Sequence, residues 1–221
     1  MPSRPNYFAK SPSKSCMSIV TVIARFLASR GAVWLALYLP AVPFLEEFLV
    51  NEHYYAELMY LSGLYCVQLL CLTLCVTPLR LVFTRLAPAT QAFLLPVLRW
   101  LVRFRRQFGI ATFSYGLIHT GIYIQYNTSL ADILAEALNF ELLVGWISIG
   151  VMAILAITSN DGSVKRLGGR WQRLHSAVHP VSVLVFVHWF LFDFFGYTIY
   201  MLAGILIIMQ AIRVSLGLRR T

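Results

Sequence analysis

The sequence predicts an all-α integral membrane protein, a six-helix bundle with both termini in the cytoplasm. Three observations predict it. The 221 residues are 59% hydrophobic and only 12% charged, with a mean hydropathy of +0.72, a balance found in lipid-embedded chains rather than soluble domains. Apolar stretches near the roughly 20 residues that cross a bilayer recur at 32–50, 57–78, 108–126, 141–158, 173–192 and 195–213. The charges, finally, sort by sign between alternate ends of those stretches.

All eighteen Lys and Arg fall in the N-terminal segment, 80–106, 165–173 and 213–220. Glu46, Glu47, Glu52, Glu57, Asp132, Glu136, Glu141 and Asp193 fall at the opposite ends, and only Asp161 breaks the separation. Cytoplasmic loops collect Lys and Arg, so both termini are expected inside. A net charge of +9 in a soluble chain would suggest nucleic acid; charge sorted in this way does not, and no nucleic-acid partner is expected.

Residues 1–31 read as a cytoplasmic or interfacial N-terminal segment, and 32–215 as one six-span domain. The opening "MPSRPNYFAKSPSKS" is polar and lacks the apolar run and small-residue site of a cleavable signal peptide. "SIVTVIARFLAS", with Arg25, reads as an interfacial lead-in helix ahead of the first span. "TQAFLLPVLRWLVRFRR" (90–106), with Pro96 inside, reads as a surface-lying connection, a short re-entrant piece being the alternative. "TSNDGSVKRLGGR" (158–170) reads as a cytoplasmic loop of turn formers and basic residues. It either receives an electron donor, holds an anionic group or is simply solvated. Of Cys16, Cys66, Cys71 and Cys75, the last two share a helix face; small apolar core residues are the commoner reading than a redox pair. Nothing resembles GxGxxG or another nucleotide fingerprint.

The chemistry lies in the histidines. His119 sits deep in the third span, and "HSAVHPVSVLVFVHW" places His175, His179 and His188 in the fifth. Ionisable groups inside a membrane are costly and usually functional. A neutral imidazole is a good ligand for haem iron, and two opposed imidazoles make a six-coordinate electron-transfer centre. At about 1.5 Å per residue, His119 and His188 each lie roughly 20 Å outward of the cytoplasmic residues Arg106 and His175, at similar depth. They are expected to clamp one haem between spans three and five. Fourteen residues before His119, Arg105 lies under it on nearly the same helix face. A second haem between His175 and Arg105, with the arginine near the iron or on a propionate, is one reading of the lower level. An interfacial positive charge is the bland reading of Arg105, and a lipid-headgroup or propionate contact that of Arg106. His175 and His188 are thirteen apart, about 140° out of line on an ideal helix; Pro180 is expected to bend the helix and realign them.

"RRQFGIATFSYGLIHTGIY", "LAITSNDGSVKRLGGRWQRLHSAVH" and "VTPLR" (76–80) resemble the haem-binding membrane subunit of the periplasmic methionine sulfoxide reductase system, the MsrQ or YedZ family, within the wider ferric-reductase-like transmembrane domains. The resemblance covers about 55–215. It implies a six-span b-type cytochrome of the bacterial inner membrane with one or two haem b groups, in which His119, His175 and His188 are the iron ligands. It implies electrons drawn from a cytoplasmic flavin reductase or the quinol pool and passed to a periplasmic molybdopterin-dependent reductase. FMN is also associated with the family, and no residue here locates it. This chain departs from the pattern at His179, where relatives more often carry an aromatic residue, and at "MYLSG" (59–63), which lacks the family's usual histidine. In the wider oxidase-like group span three carries two histidines fourteen apart; Arg105 stands in the lower place here.

Two other classes remain open on the sequence: a transmembrane ferric or oxygen reductase, and a non-redox transporter whose histidines relay protons. His53, in "EEFLVNEHYY", reads as an exposed loop residue. Tyr123, Tyr126 and Trp171 read as interfacial anchors, and His179 as a packing or propionate neighbour of the Pro180 bend.

Overall fold

The computed structural model describes residues 29–44, 55–85, 88–127, 129–193 and 195–218, and among them the regular structure is entirely helical. Most of the N-terminal lead-in, Cys16, residues 45–50 of the expected first span and His53 lie outside the described residues. The main elements are α1 (Arg30–Tyr38), α2 (Tyr55–Phe83), α3 (Pro88–Tyr126), α4 (Leu130–Glu136), α5 (Phe140–Ile157), α6 (Asp161–Leu167), α7 (Gly169–His175), α8 (Val178–Phe192) and α9 (Tyr197–Leu218).

Four segments are long and apolar enough to cross a membrane: Tyr55–Phe83, Phe140–Ile157, Gly169–Phe192 and Tyr197–Leu216. Half of the most apolar window of α2 is buried inside the protein, against 11% for α9. That contrast makes α2 the centre of the bundle. It packs along most of its length on α3, with α9 on another side, while α8 lies on α5. Leu70, Leu74, Val76, Phe104 and Tyr115 are fully enclosed. Ile147, Ile154, Val183, Ile205, Ile207 and Ile208 face outward instead, an arrangement suited to hydrocarbon rather than water. The three cysteines Cys66, Cys71 and Cys75 are free and buried in α2.

Three boundaries differ from the sequence reading. The connection expected at 90–106 and the span expected at 108–126 are one 39-residue helix, α3, with Pro96 inside it. Pro96 is the ninth residue of α3 and withholds one backbone donor, but the helix continues through it on a run of Leu, Val, Arg and Phe. The loop expected at 158–170 is largely helical: Asn160 caps α6 by accepting from the Ser163 amide at 2.8 Å, Asp161 occupies its first turn, and Lys165 and Arg166 its last. Acid at the start and base at the end both favour the helix dipole. Gly168, at φ 51°, then turns the chain into α7. The third difference concerns Pro180. It sits in the first turn of α8, and the helical path breaks at Ser176–Ala177. A proline cannot donate to the carbonyl four residues earlier, here that of Ser176; the His179 amide donates to it instead, at 3.1 Å. The bend predicted at Pro180 therefore falls one turn before it.

Candidate cofactor site

A cavity of about 510 Å³ opens between α2, α3, α5 and α8. Its walls include Gly63, Cys66, His119, Gly145, Trp146 and His188. The His119 and His188 rings meet across it with centroids 6.3 Å apart and planes at 86°. The equal depth expected from counting residues is thus met in space.

Each imidazole is held from behind. His119 Nδ1 lies 3.0 Å from the Met59 carbonyl oxygen and 3.2 Å from Ser62 Oγ. The Ser62 hydroxyl donates to that same carbonyl, at 3.1 Å, so its lone pairs face the ring. A carbonyl only accepts; both contacts assign the proton to Nδ1. His188 Nδ1 lies 2.7 Å from the Glu141 carbonyl and carries its proton for the same reason. Both Nε2 lone pairs remain for a ligand. Fixing the tautomer through the second nitrogen is how proteins prepare a histidine to bind metal.

Glycine makes room for both rings. A Cβ on Gly145 would stand 2.8 Å from His188 Cε1, and one on Gly63 would stand 3.3 Å from the His119 ring. These two glycines, and the Met59 and Glu141 carbonyls, are absent from the sequence-derived set. Their only signal was a glycine in mid-span, in "LSG" and "VGW". "MYLSG", noted as a departure from the family pattern, is the seat of His119.

The lower residues are arranged differently. Arg105 donates from Nε to the Thr73 carbonyl and from Nη1 to Thr77 Oγ1, both at 3.1 Å. It faces α2, as His119 does one level up. His175 Nε2 lies 3.0 Å from Thr158 Oγ1, and its ring stacks on Trp171 with centroids 4.0 Å apart. Trp171, expected as an interfacial anchor, also donates from Nε1 to the Thr158 carbonyl at 2.9 Å. Arg106 pairs with Asp161 at 2.5 Å, which accounts for the one acid on the basic side. The guanidinium holds the Asp161 carboxyl below the usual carboxylate range. His179 Nε2 contacts Arg213 Nη1 at 2.5 Å. Among the described residues no three His, Cys, Asp or Glu side chains gather into a metal-binding cluster.

Residues 62–186 match the family model described as "Ferric reductase like transmembrane component". A relative from Ralstonia nicotianae, named as the haem-binding subunit MsrQ of protein-methionine-sulfoxide reductase, is 35% identical over 73% of this chain and 72% of its own length. The chain belongs to the MsrQ family. Relatives of the same name from Xanthomonas euvesicatoria pv. vesicatoria and Herminiimonas arsenicoxydans are 32% and 33% identical, and the chain spans 73% and 55% of their lengths. Within this MsrQ-type domain the family match encloses Gly63, His119 and Gly145 and stops two residues before His188. Family and apolar helices together make it a multi-pass membrane protein.

Proposed function

We propose that this chain is a haem b electron-transfer subunit of the bacterial inner membrane, with six spans and cytoplasmic termini. In this reading it passes electrons from a cytoplasmic flavin reductase or quinol to a periplasmic molybdopterin-dependent methionine sulfoxide reductase. One observation carries the reading: two neutral imidazoles face each other across an apolar cavity with both Nδ1–H groups tied to backbone carbonyls.

The residues fit a haem. The His119 and His188 rings, 6.3 Å apart, would hold the iron between them. Two histidines make an incomplete set for a bare ion but would suffice as the protein's ligands to a haem iron. The buried indole N–H of Trp146, in the cavity wall, has no hydrogen-bond partner and offers a donor to a polar edge of the group. Bound there, haem supplies reversible one-electron chemistry. The protein's part is to hold and tune it. His119 and His188 would hold the iron, Met59, Ser62 and Glu141 fix their tautomers, and α2, α3, α5 and α8 enclose the cavity. At the lower level His175 and Arg105 are each engaged by threonines, so the reading places one haem at the upper pair. The arginines Arg105 and Arg213, with His175 and His179 beside them, then mark the side from which electrons enter.

A reduced-minus-oxidised visible spectrum of the purified protein tests this. A b-type difference band is expected, lost in His119→Ala and His188→Ala and kept in His179→Ala. A protein without the band, or a band lost only with His179, contradicts the proposal.

A further inference from the structure

At the far end of the α2–α3 pair lies a second cavity, of about 470 Å³, lined by Arg80, Phe83, Thr84, Leu95, Leu98, Arg99, Val102 and Arg103. It is separate from the histidine cavity: Gly63 and Arg80 are seventeen residues apart on α2, roughly 25 Å along a helix. Its lining follows helical faces. Positions 80 and 83 share one face of α2, with Thr84 just past its end, and 95, 98, 99, 102 and 103 share one face of α3. Each helix therefore brings both arginine and apolar side chains to the lining, and Leu98 is buried at 5% exposure.

The arginines have no acid nearby in sequence. Between Glu57 and Asp132 the chain carries six arginines and not one Asp or Glu. Asp161, the acid on this side, is taken by Arg106. Arg103 lies over the Phe104 ring at 5.1 Å, and Arg85 turns away to the Leu216 carbonyl. Arg80, Arg99 and Arg103 are thus three guanidinium groups around one hollow. Guanidinium forks match phosphate oxygens. The hollow also lies some 38 Å along α2 from its outer end at Tyr55, beyond a hydrocarbon core of about 30 Å. That is headgroup level on the positively charged side of the membrane.

We propose that this cavity is a specific site for one anionic phospholipid. Its phosphate is held by Arg80, Arg99 and Arg103, and an acyl chain runs along Phe83, Leu95 and Val102. A phosphate alone would leave Phe83, Leu95 and Val102 uncovered. A neutral lipid would leave three cations without a net counter-charge. Basic pockets between spans on the cytoplasmic side are a known way to select acidic lipids.

The test is native mass spectrometry of the detergent-purified full chain, exchanged against equal amounts of phosphatidylglycerol and phosphatidylcholine. One retained phosphatidylglycerol is expected, with retention about tenfold weaker in Arg99→Gln/Arg103→Gln, since charged hydrogen bonds are worth that much. Val102→Trp, which fills space in the lining without changing charge, is expected to weaken retention too. Arg170→Gln/Arg173→Gln removes the same charge elsewhere and should leave it unchanged. Equal retention of the two lipids overturns the proposal, as does an equal loss in the Arg170/Arg173 control. Displacement by inorganic phosphate as effective as by short-chain phosphatidylglycerol would assign the site to free phosphate and overturn the lipid assignment. None of these readouts uses the histidine pair, so this proposal and the haem proposal fail independently.

Discussion

At the scale of single residues, the site depends as much on what is missing as on the two imidazoles. Gly145 lets the His188 ring lie against the backbone of α5, and an added methyl would stand 2.8 Å from that ring. Overpacking of this kind costs about 1–3 kcal/mol. Gly145→Ala is therefore expected to displace His188 and weaken haem retention roughly 5- to 150-fold, read as the loss of the difference band on dilution. Gly150, on the same helix with nothing within 4 Å of its added Cβ, gives the control: Gly150→Ala should retain haem normally. A second prediction concerns Asp161. Its folded-state pKa is lowered by Arg106. The stability it contributes is thus complete above the ordinary carboxylate range and is lost as pH falls through the depressed value. The pair is exposed, at 38% and 76%, so the effect is small and screened by salt. Asp161→Asn should lower the thermal midpoint slightly near neutral pH, with the difference vanishing in acid and at high salt.

At the scale of elements, tertiary hydrogen bonds tie the helices into one frame. The enclosed Tyr115 on α3 donates to the Leu37 carbonyl of α1 at 2.9 Å, and Tyr38 bonds Ser114 at 2.7 Å. Tyr115→Phe removes one such bond and should cost about 0.5–1.5 kcal/mol, seen as a lower unfolding midpoint with the haem band intact. The spans at 57–78 and 141–158 were legible in sequence because apolar length alone defines them, and the structure moves their ends by a few residues. Capping and proline chemistry, acting over three or four residues, redrew the rest. Asn160 and Asp161 make a helix start out of what reads as a loop, and the carbonyl stranded by Pro180 shifts the break to Ser176. The equal depth of His119 and His188 was legible from rise per residue. The carbonyls behind them were not, because the Met59 and Glu141 contacts belong to the backbone and leave no side-chain pattern.

At the scale of the whole molecule, the charge sorting, the outward-facing isoleucines and the central α2 describe a bundle built around one apolar cavity and rimmed with arginine. If the termini are cytoplasmic as proposed, reporter fusions at Thr221 should report the cytoplasm and fusions near Asn127 the periplasm; the reverse pattern would reverse the direction of electron flow. The axial pair is the central claim, and low-temperature electron paramagnetic resonance of the oxidised protein tests it most directly. Two histidine ligands predict a low-spin signal, altered by His188→Met. A high-spin signal, or a low-spin signal untouched by that substitution, would contradict it.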